Sequence, residues 1–322
     1  MAKPKLALIP AAQGTKLYSV LPSDGTGDFD FTRGSVATRI NAQGLIENVA
    51  SGQSRLNYPL IDGVQKGCPH HILEPASTNQ IISSENLSTN WSKTNSVVES
   101  NSTISPDGTL TADKLTFNTS GNFGRIVSST LTFINSVSFF IKYIDLEYIL
   151  IFVGTSSNGV YVNIKEGYAT STVLGAGLDI TIKKFPNDWL RIEASGANNG
   201  TGLEIYAADS TPNYSPITLN GSFYLWGLQA ETNSYSTSYI PTTTTTVTRS
   251  AETANGAGNS TTFNDSEGVL MAEISALSDE AGYKLLSINN NTVNNQITIG
   301  ISSALNNLYV DSKIGNSAVI SN

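Results

Sequence analysis

Five carboxylates, Glu147, Glu166, Glu193, Glu204 and Glu231, are the first candidates for chemistry in this chain. Glycoside hydrolysis needs two such groups facing each other across a cleft, one with a raised pKa. None of the five stands in a recognisable catalytic pattern, and Glu147, beside an apolar run, reads as a solvated loop acid. Cys68, His70 and His71 lie close together, and the chain holds no other Cys or His. A zinc site takes three or four ligands from separated groups. The cluster therefore reads as a structural turn, with pooling of ligands between copies on a symmetry axis as the alternative. No Gly-x-Ser-x-Gly elbow and no phosphate-cradling Gly-rich loop occurs. Sugar binding asks for less: an exposed aromatic face with a few amide or carboxylate partners. Trp91, Trp189, Tyr206 and Tyr235 are the candidates for such a face, with Tyr214 beside them. Trp226 lies in a strand that is apolar on both sides and reads as core. For Trp189, which starts a strand after a turn, core and sugar platform both stand; the same holds for Trp91 in its polar setting.

Composition bounds the fold that must position these residues. Charged residues are 14% of the 322, against about 25% in ordinary soluble domains. The surface is instead rich in Ser, Thr and Asn, weak helix formers; β-branched Thr suits a pleated sheet. The net charge is −8 with no Lys/Arg cluster, so a nucleic-acid partner is not expected. One cysteine allows no internal disulfide. No apolar run approaches the roughly 18 residues of a membrane span, and residues 6–9 are too short for a signal-peptide core. Membrane insertion is therefore not expected, and assembly in a cytoplasm is.

The chain reads as all-β in four segments. Residues 1–75, punctuated by Gly, Asp and Arg, look like an extended arm with a few short strands. The arm either docks on a partner or packs on the following domain as extra edge strands. Residues 76–250 carry many short apolar strands, at 109–117, 136–143, 148–153, 160–164, 178–182, 189–194, 203–207 and 223–231. Turn signals such as Pro106-Asp-Gly108 and Ser157-Asn-Gly159 separate them, the pattern of a sandwich or barrel. In residues 223–231, Phe223, Leu225, Gly227 and Gln229 alternate with Tyr224, Trp226 and Leu228. Both sets are largely apolar, which marks a central strand covered on both sides. Residues 251–261 are small and Gly/Asn-rich, a linker. From 262 the strand pattern restarts, at 268–274, 283–288, 296–301 and 307–311.

Several stretches together resemble one family. They are Gly27-Asp-Phe-Asp-Phe-Thr-Arg-Gly34, Ala37-Thr-Arg39, Gly44-Leu-Ile-Glu47, Arg55-Leu-Asn-Tyr58, Gly67-Cys-Pro69, Leu73-Glu-Pro75 and Thr78-Asn79. Further on come Trp91-Ser-Lys93, the turn from Pro106 to Lys114, the Tyr224-Leu-Trp-Gly strand with Gln229 and Glu231, Thr237-Ser-Tyr-Ile-Pro-Thr242 and Val247-Thr-Arg249. In this order they are similar to segments of tailed-phage head-fibre, spike or tail-fibre structural proteins, over about residues 6–255. His70-His71 departs from that pattern, where small or aliphatic residues are usual. Residues 185–191 before the Leu-Trp-Gly strand also resemble the jelly roll of carbohydrate-binding modules. The last 61 residues resemble the opening strands of a concanavalin-like or laminin-G-like sandwich, either cut short or completed by neighbouring copies.

The resemblance implies an N-terminal virion-docking arm, a jelly-roll β-sandwich and a second, lectin-like β-sandwich. It implies a homotrimer in a virion, contacts with other virion proteins of capsid, portal or tail, and adhesion to host surface glycans without catalysis. No cofactor is expected. Because jelly-roll modules often hold structural calcium, the oxygens of Asp24-Gly-Thr-Gly-Asp-Phe-Asp30 are the alternative, although they lack the EF-hand spacing. The rivals are a polysaccharide-degrading tailspike and a purely structural decoration or adaptor protein.

Overall fold

The computed structural model describes residues 3–119, 122–128, 131–154, 158–175, 178–210, 219–263, 267–277, 284–302 and 307–321. Among them every regular element is a strand, and no helix is long and apolar enough to cross a membrane. The chain divides into two compact units, the first ending at Gly258 and the second starting at Asn259.

The first unit is built on a sandwich of two six-stranded antiparallel sheets. Nine short strands precede it: β1 (Lys16–Leu17), β2 (Phe29–Thr32), β3 (Ala37–Ile40), β4 (Ile46–Val49), β5 (Arg55–Asn57), β6 (Leu60–Ile61), β7 (Val64–Gln65), β8 (His70–Ile72) and β9 (Ser77–Asn79). The sandwich strands are β10 (Trp91–Thr94), β11 (Ser96–Thr103), β12 (Ala112–Asn118), β13 (Arg125–Ser128), β14 (Ile134–Tyr143) and β15 (Tyr148–Val153). They continue with β16 (Gly159–Asn163), β17 (Tyr168–Leu174), β18 (Asp179–Phe185), β19 (Trp189–Gly200), β20 (Leu203–Ala208) and β21 (Asn220–Glu231). The first sheet runs β11-β12-β21-β14-β19-β18 and the second β10-β13-β20-β15-β16-β17. Between them lies one aliphatic core, with Leu115, Val137, Ile192 and Leu225 from the first sheet and Ile126, Ile151, Val162 and Ile205 from the second, all essentially inaccessible. Strands β10, β11, β13 and β17 were not expected from the sequence. Their apolar residues are few or interrupted by Ser, Thr and Arg, because β10, β11 and β17 are sheet edges and β13 lies next to one.

Strand β21 is the third of six and is covered on both sides, as its pattern requires. The parity changes midway, which simple alternation misses. Phe140 faces Trp226 while Ser138 faces Gln229, so β21 carries one extra residue there. Gly227 takes φ +63°, a left-handed conformation suited to glycine, and the Phe140 ring lies 3.0 Å from where a Cβ would stand. Before this bulge Phe223 and Leu225 face the core; after it Leu228 and Ala230 do. Gln229 and Glu231 are thereby turned to the outer side.

The N-terminal segment adds no strand to either six-stranded sheet. It forms hairpins of its own (β3-β4, β5-β8, β6-β7) and pairs with the chain leaving the sandwich, through β9 with β22 (Val247–Arg249) and β2 with β23 (Thr253–Asn255). Ile40, Ile46 and Leu60 pack with Phe140, Phe185, Trp189, Trp226 and Tyr239 on the outer face of the first sheet. The segment is thus integral to this unit. Residues 253–255, read as linker from their small side chains, are a strand paired with β2.

The second unit is an antiparallel meander in sequence order: β24 (Lys284–Asn289), β25 (Gln296–Ile301), β26 (Leu308–Ile314) and β27 (Ser317–Ser321). The strand expected at 268–274 is not formed. That stretch has no regular structure among the described residues, with Val269 and Met271 almost fully exposed. A strand needs a neighbouring strand to pair with, which a local pattern does not reveal.

Candidate functional site

The motif residues converge on one buried place. Arg33 follows β2, Arg55 opens β5, Arg249 closes β22, and Glu74 and Glu252 lie in the connections beside them. Their side chains are completely or almost completely removed from solvent. Arg33 Nη1 stands 2.6 Å from Glu252 Oε1, and Arg55 Nε donates to the same oxygen at 2.8 Å. Arg55 Nη2 bridges Glu252 Oε2 and Glu74 Oε2, the latter at 2.8 Å, and Arg249 Nη1 reaches Glu74 Oε2 at 3.0 Å. Ser238 donates to both Glu74 oxygens, from its backbone N at 2.9 Å and its Oγ at 2.6 Å. Glu231 lies alongside, accepting from Ser77, Gln229 and Thr237. Three arginines thus share two glutamates, Glu74 and Glu252, and Glu231 is held beside them by neutral donors.

Buried charges are tolerated when paired and hydrogen-bonded, a condition the network meets except at Arg249 Nε, which has no hydrogen-bond partner, and at Glu231, which is hydrogen-bonded by neutral donors only. Burial alone would raise the Glu74 carboxyl, but Arg55, Arg249 and the Ser238 donors outweigh it and hold it at about 2. Asn79 completes the arrangement. Its amide donates to Leu228 O and Ile240 O, and its Oδ1 accepts from Ile81 N and Ala230 N. No segment of this network is open to a ligand; it ties the two ends of the unit to the first sheet.

The outer face of the second sheet has a different character. Register places Arg125, Tyr206, Leu150 and Tyr161 in one row, and Glu204, Phe152 and Gly159 in the next. A third row holds Ala208, Tyr148, Asn163 and Tyr168. Strand β15 is therefore two-sided: Ile149, Ile151 and Val153 enter the core, while Tyr148, Leu150 and Phe152 point outward. Gly159 leaves the space in which Phe152 lies down, since a Cβ there would meet the ring at 2.6 Å. The centre of this face is buried. Its rim is not: Phe123 is 37% and Tyr168 48% exposed.

The rim is polar in a fixed way. Arg125 Nη1 donates to Glu204 Oε2 and to Tyr206 Oη, both at 2.7 Å. The guanidinium lies over the Phe123 and Tyr206 rings, 5.3 and 5.5 Å from their centroids. Gly124 permits this, because Phe117 and Thr119 occupy the space a Cβ would need. At the other end Asn163 Nδ2 donates to Glu147 Oε1 at 2.9 Å, Lys165 stands 3.8 Å from Glu147, and the Tyr148 and Tyr168 hydroxyls are 3.4 Å apart. Two exposed rings flanking fixed carboxylate, amide and guanidinium groups can stack on an apolar sugar face and hydrogen-bond its hydroxyls.

The four residues expected to bind sugar are not brought together as one exposed platform. Trp189, 1% exposed, packs with Phe140 and Trp226 under the N-terminal segment, its indole nitrogen donating to Ile104 O at 3.1 Å. Trp91, 6% exposed, enters the sandwich core from β10. For both, core is the location, and neither offers a stacking face. Tyr206 lies on the outer face of the second sheet but is 2% exposed, so it holds Arg125 and Glu204 rather than presenting its ring. Tyr235 is half-buried in the loop after β21, and Tyr214 lies outside the described residues. Phe123, Arg125, Tyr148 and Tyr168 were missed. The available signal was the alternation of aromatics with aliphatics in residues 148–153, the same two-sided pattern as in β21.

The five candidate acids are dispersed. Glu231 is in the buried network, Glu193 pairs with Lys183 and Arg191, Glu204 with Arg125, Glu147 with Asn163 and Lys165, and Glu166 is exposed in the turn after β16. Among the described residues, burial raises the carboxyls of Glu85 and Asp113 above their usual range. Asp113 is held by the backbone N of Leu87 and Asn101, and Glu85 by the Tyr239 hydroxyl. In the segment considered for calcium, Asp24 accepts from Thr26 and Asp28 from Ser19, as turn-forming side chains do. Among the described residues no group of three or more His, Cys, Asp or Glu is placed to hold a metal. Comparison with known protein families and with curated proteins finds no match.

Proposed function

We propose that this chain is a structural protein of a tailed-phage virion, a head fibre, spike or tail fibre, whose sandwich adheres to host-surface glycans without cleaving them. The single observation that supports adhesion most is the outer face of the second sheet. It combines exposed Phe123 and Tyr168 with the fixed Arg125–Glu204 and Asn163–Glu147 pairs. The phage assignment rests on the ordered motifs, whose Arg33, Arg55, Glu74, Asn79, Glu231 and Arg249 share one continuous network, so that they make physical sense as a set. In this reading the sandwich is a jelly-roll module. The N-terminal segment presents the attachment surface toward other virion proteins, and copies assemble as a homotrimer. Weak single sites then gain strength from copy number. A non-catalytic role is supported by the ion pairs and backbone donors that hold most of the candidate acids.

One observation favours a second reading, a decoration or adaptor protein that binds no sugar: the central aromatics of this face, Phe152, Tyr161 and Tyr206, are buried. A glycan array on the purified full chain, with its mass in solution measured alongside, separates the two. Selective binding that Phe123→Ala and Tyr168→Ala abolish, with the glycan recovered intact, is the expected result. A folded protein that binds nothing supports the adaptor, and a cleaved glycan supports an enzyme.

A further inference from the structure

The chain enters and leaves the sandwich side by side. Gly258 N donates to Thr26 O at 2.8 Å, Asp30 faces Asn255, and Thr32 faces Thr253 with their hydroxyls 2.6 Å apart. Immediately inward, Arg33 meets Glu252 at 2.6 Å, and Ser250 N donates to Ser35 Oγ at 2.8 Å. Pull applied between the segment before Thr26 and the second unit after Gly258 therefore meets this antiparallel pair first, with β2 also held on its other edge by β1 and at Asp28 by Ser19, and opens it from its outer end. The hydrogen bonds of β2 and β23 then break singly, and both strands are solvent-exposed at Thr32 and Thr253. The next contact is of another kind. Glu252 is bonded to Arg33, Arg55 and the Glu74 backbone N, and Glu252 N donates to Glu74 O at 3.0 Å. Removing Glu252 from that pocket leaves two buried arginines short of countercharge, the costly way to break a buried ion pair. All twelve strands of the sandwich lie between Arg33 and Glu252 in sequence.

From this arrangement we infer that the paired strands and the Arg33–Glu252–Arg55 cluster form a mechanical clamp. It lets tension pass from the N-terminal segment to the second unit while bypassing the sandwich. The usefulness of such a clamp rests on the proposed attachment role, in which one end is held by a particle and the other by a surface. Its existence is a property of the isolated chain, so the test uses neither virion nor glycan, and failure of either idea leaves the other standing.

The test is single-molecule stretching of the full chain between azide-bearing residues placed at Ser23 and Ser260. The expected trace has a first release confined to residues 24–32 and 253–259, roughly 5 nm at about 3.5 Å per extended residue. A separate release of roughly 70 nm, from the sandwich, follows at higher force. Glu252→Gln is expected to merge the two events at the lower force. A stapled control, Thr32→Cys with Thr253→Cys in a Cys68→Ser background, removes the sandwich from the load path covalently. The wild type must follow the stapled trace up to the second event, a comparison that holds even where Glu252→Gln does not fold. Release of the sandwich together with the first event in the wild type overturns the clamp, as does a Glu252→Gln trace unchanged in force.

Discussion

The outer face of the first sheet carries Phe140, Trp226 and Tyr239 beside an arginine–glutamate network; that of the second carries Phe152, Tyr161 and Tyr206 beside Arg125 and Glu204. The ingredients are nearly the same. On the first sheet the chain's own N-terminal segment and outgoing strands close over the aromatics, and Arg33, Arg55 and Arg249 are paired inside with Glu74 and Glu252. On the second sheet the rim stays open at Phe123 and Tyr168. Similar residue types thus stabilise both faces, and only at the rim of the second do Phe123 and Tyr168 present rings to solvent. Both centres are buried; what separates them is that pair of exposed rings.

The largest expected effect lies in the closed face. Glu252→Gln or Arg55→Met should destabilise the first unit by about 3–5 kcal/mol, because a buried charge loses its partner. Glu204→Gln, at a pair that retains partial access to solvent, should cost less, about 1–2 kcal/mol. Denaturant midpoints of the two variants check this, and equal losses would erase the distinction between the faces.

Acid sharpens the same contrast. The folded Glu74 carboxyl is depressed to about 2 from an ordinary value of 4.5. Its contribution to stability is therefore fully present above about pH 4.5 and is lost as pH falls from there through 2, on the order of 3 kcal/mol in all. Unfolding midpoints recorded from pH 6 to pH 2 should fall across that window, and Glu74→Gln should flatten the fall.

A smaller effect is expected at the bulge. Gly227→Ala places a side chain at φ +63° with the Phe140 ring 3.0 Å away, costing about 1–2 kcal/mol from the backbone alone. The misplaced parity should also loosen Gln229 and Glu231, so amide exchange should rise first around β21 and residues 237–242. Smallest in stability are Tyr168→Ala and Phe123→Ala, within about 1 kcal/mol, the latter losing its contact with the Arg125 guanidinium.

Much of the fold was legible because strand patterns are local. Residues 148–153 and 296–301 became strands with those bounds, and the doubly apolar strand containing Trp226 is central. The site was less legible, for two reasons. Burial of an aromatic depends on what the chain folds over it: Trp189 looked like a platform candidate until Ile40, Ile46 and Leu60, from 129 or more residues earlier in sequence, came to lie in the cluster it joins. The polar partners that fix the rim are also distant, Arg125 meeting Glu204 across 79 positions. The motifs could be seen as a set, but nothing local tells that Arg33, Arg55 and Arg249 share two glutamates.

The most direct test pairs two readouts on two variants, glycan-array binding and unfolding midpoint for Phe123→Ala and for Glu252→Gln. The account predicts that Phe123→Ala loses glycan binding with little change in midpoint, while Glu252→Gln lowers the midpoint and its folded fraction still binds. A Phe123→Ala variant that binds as the parent does, or that loses binding only by unfolding, would contradict it.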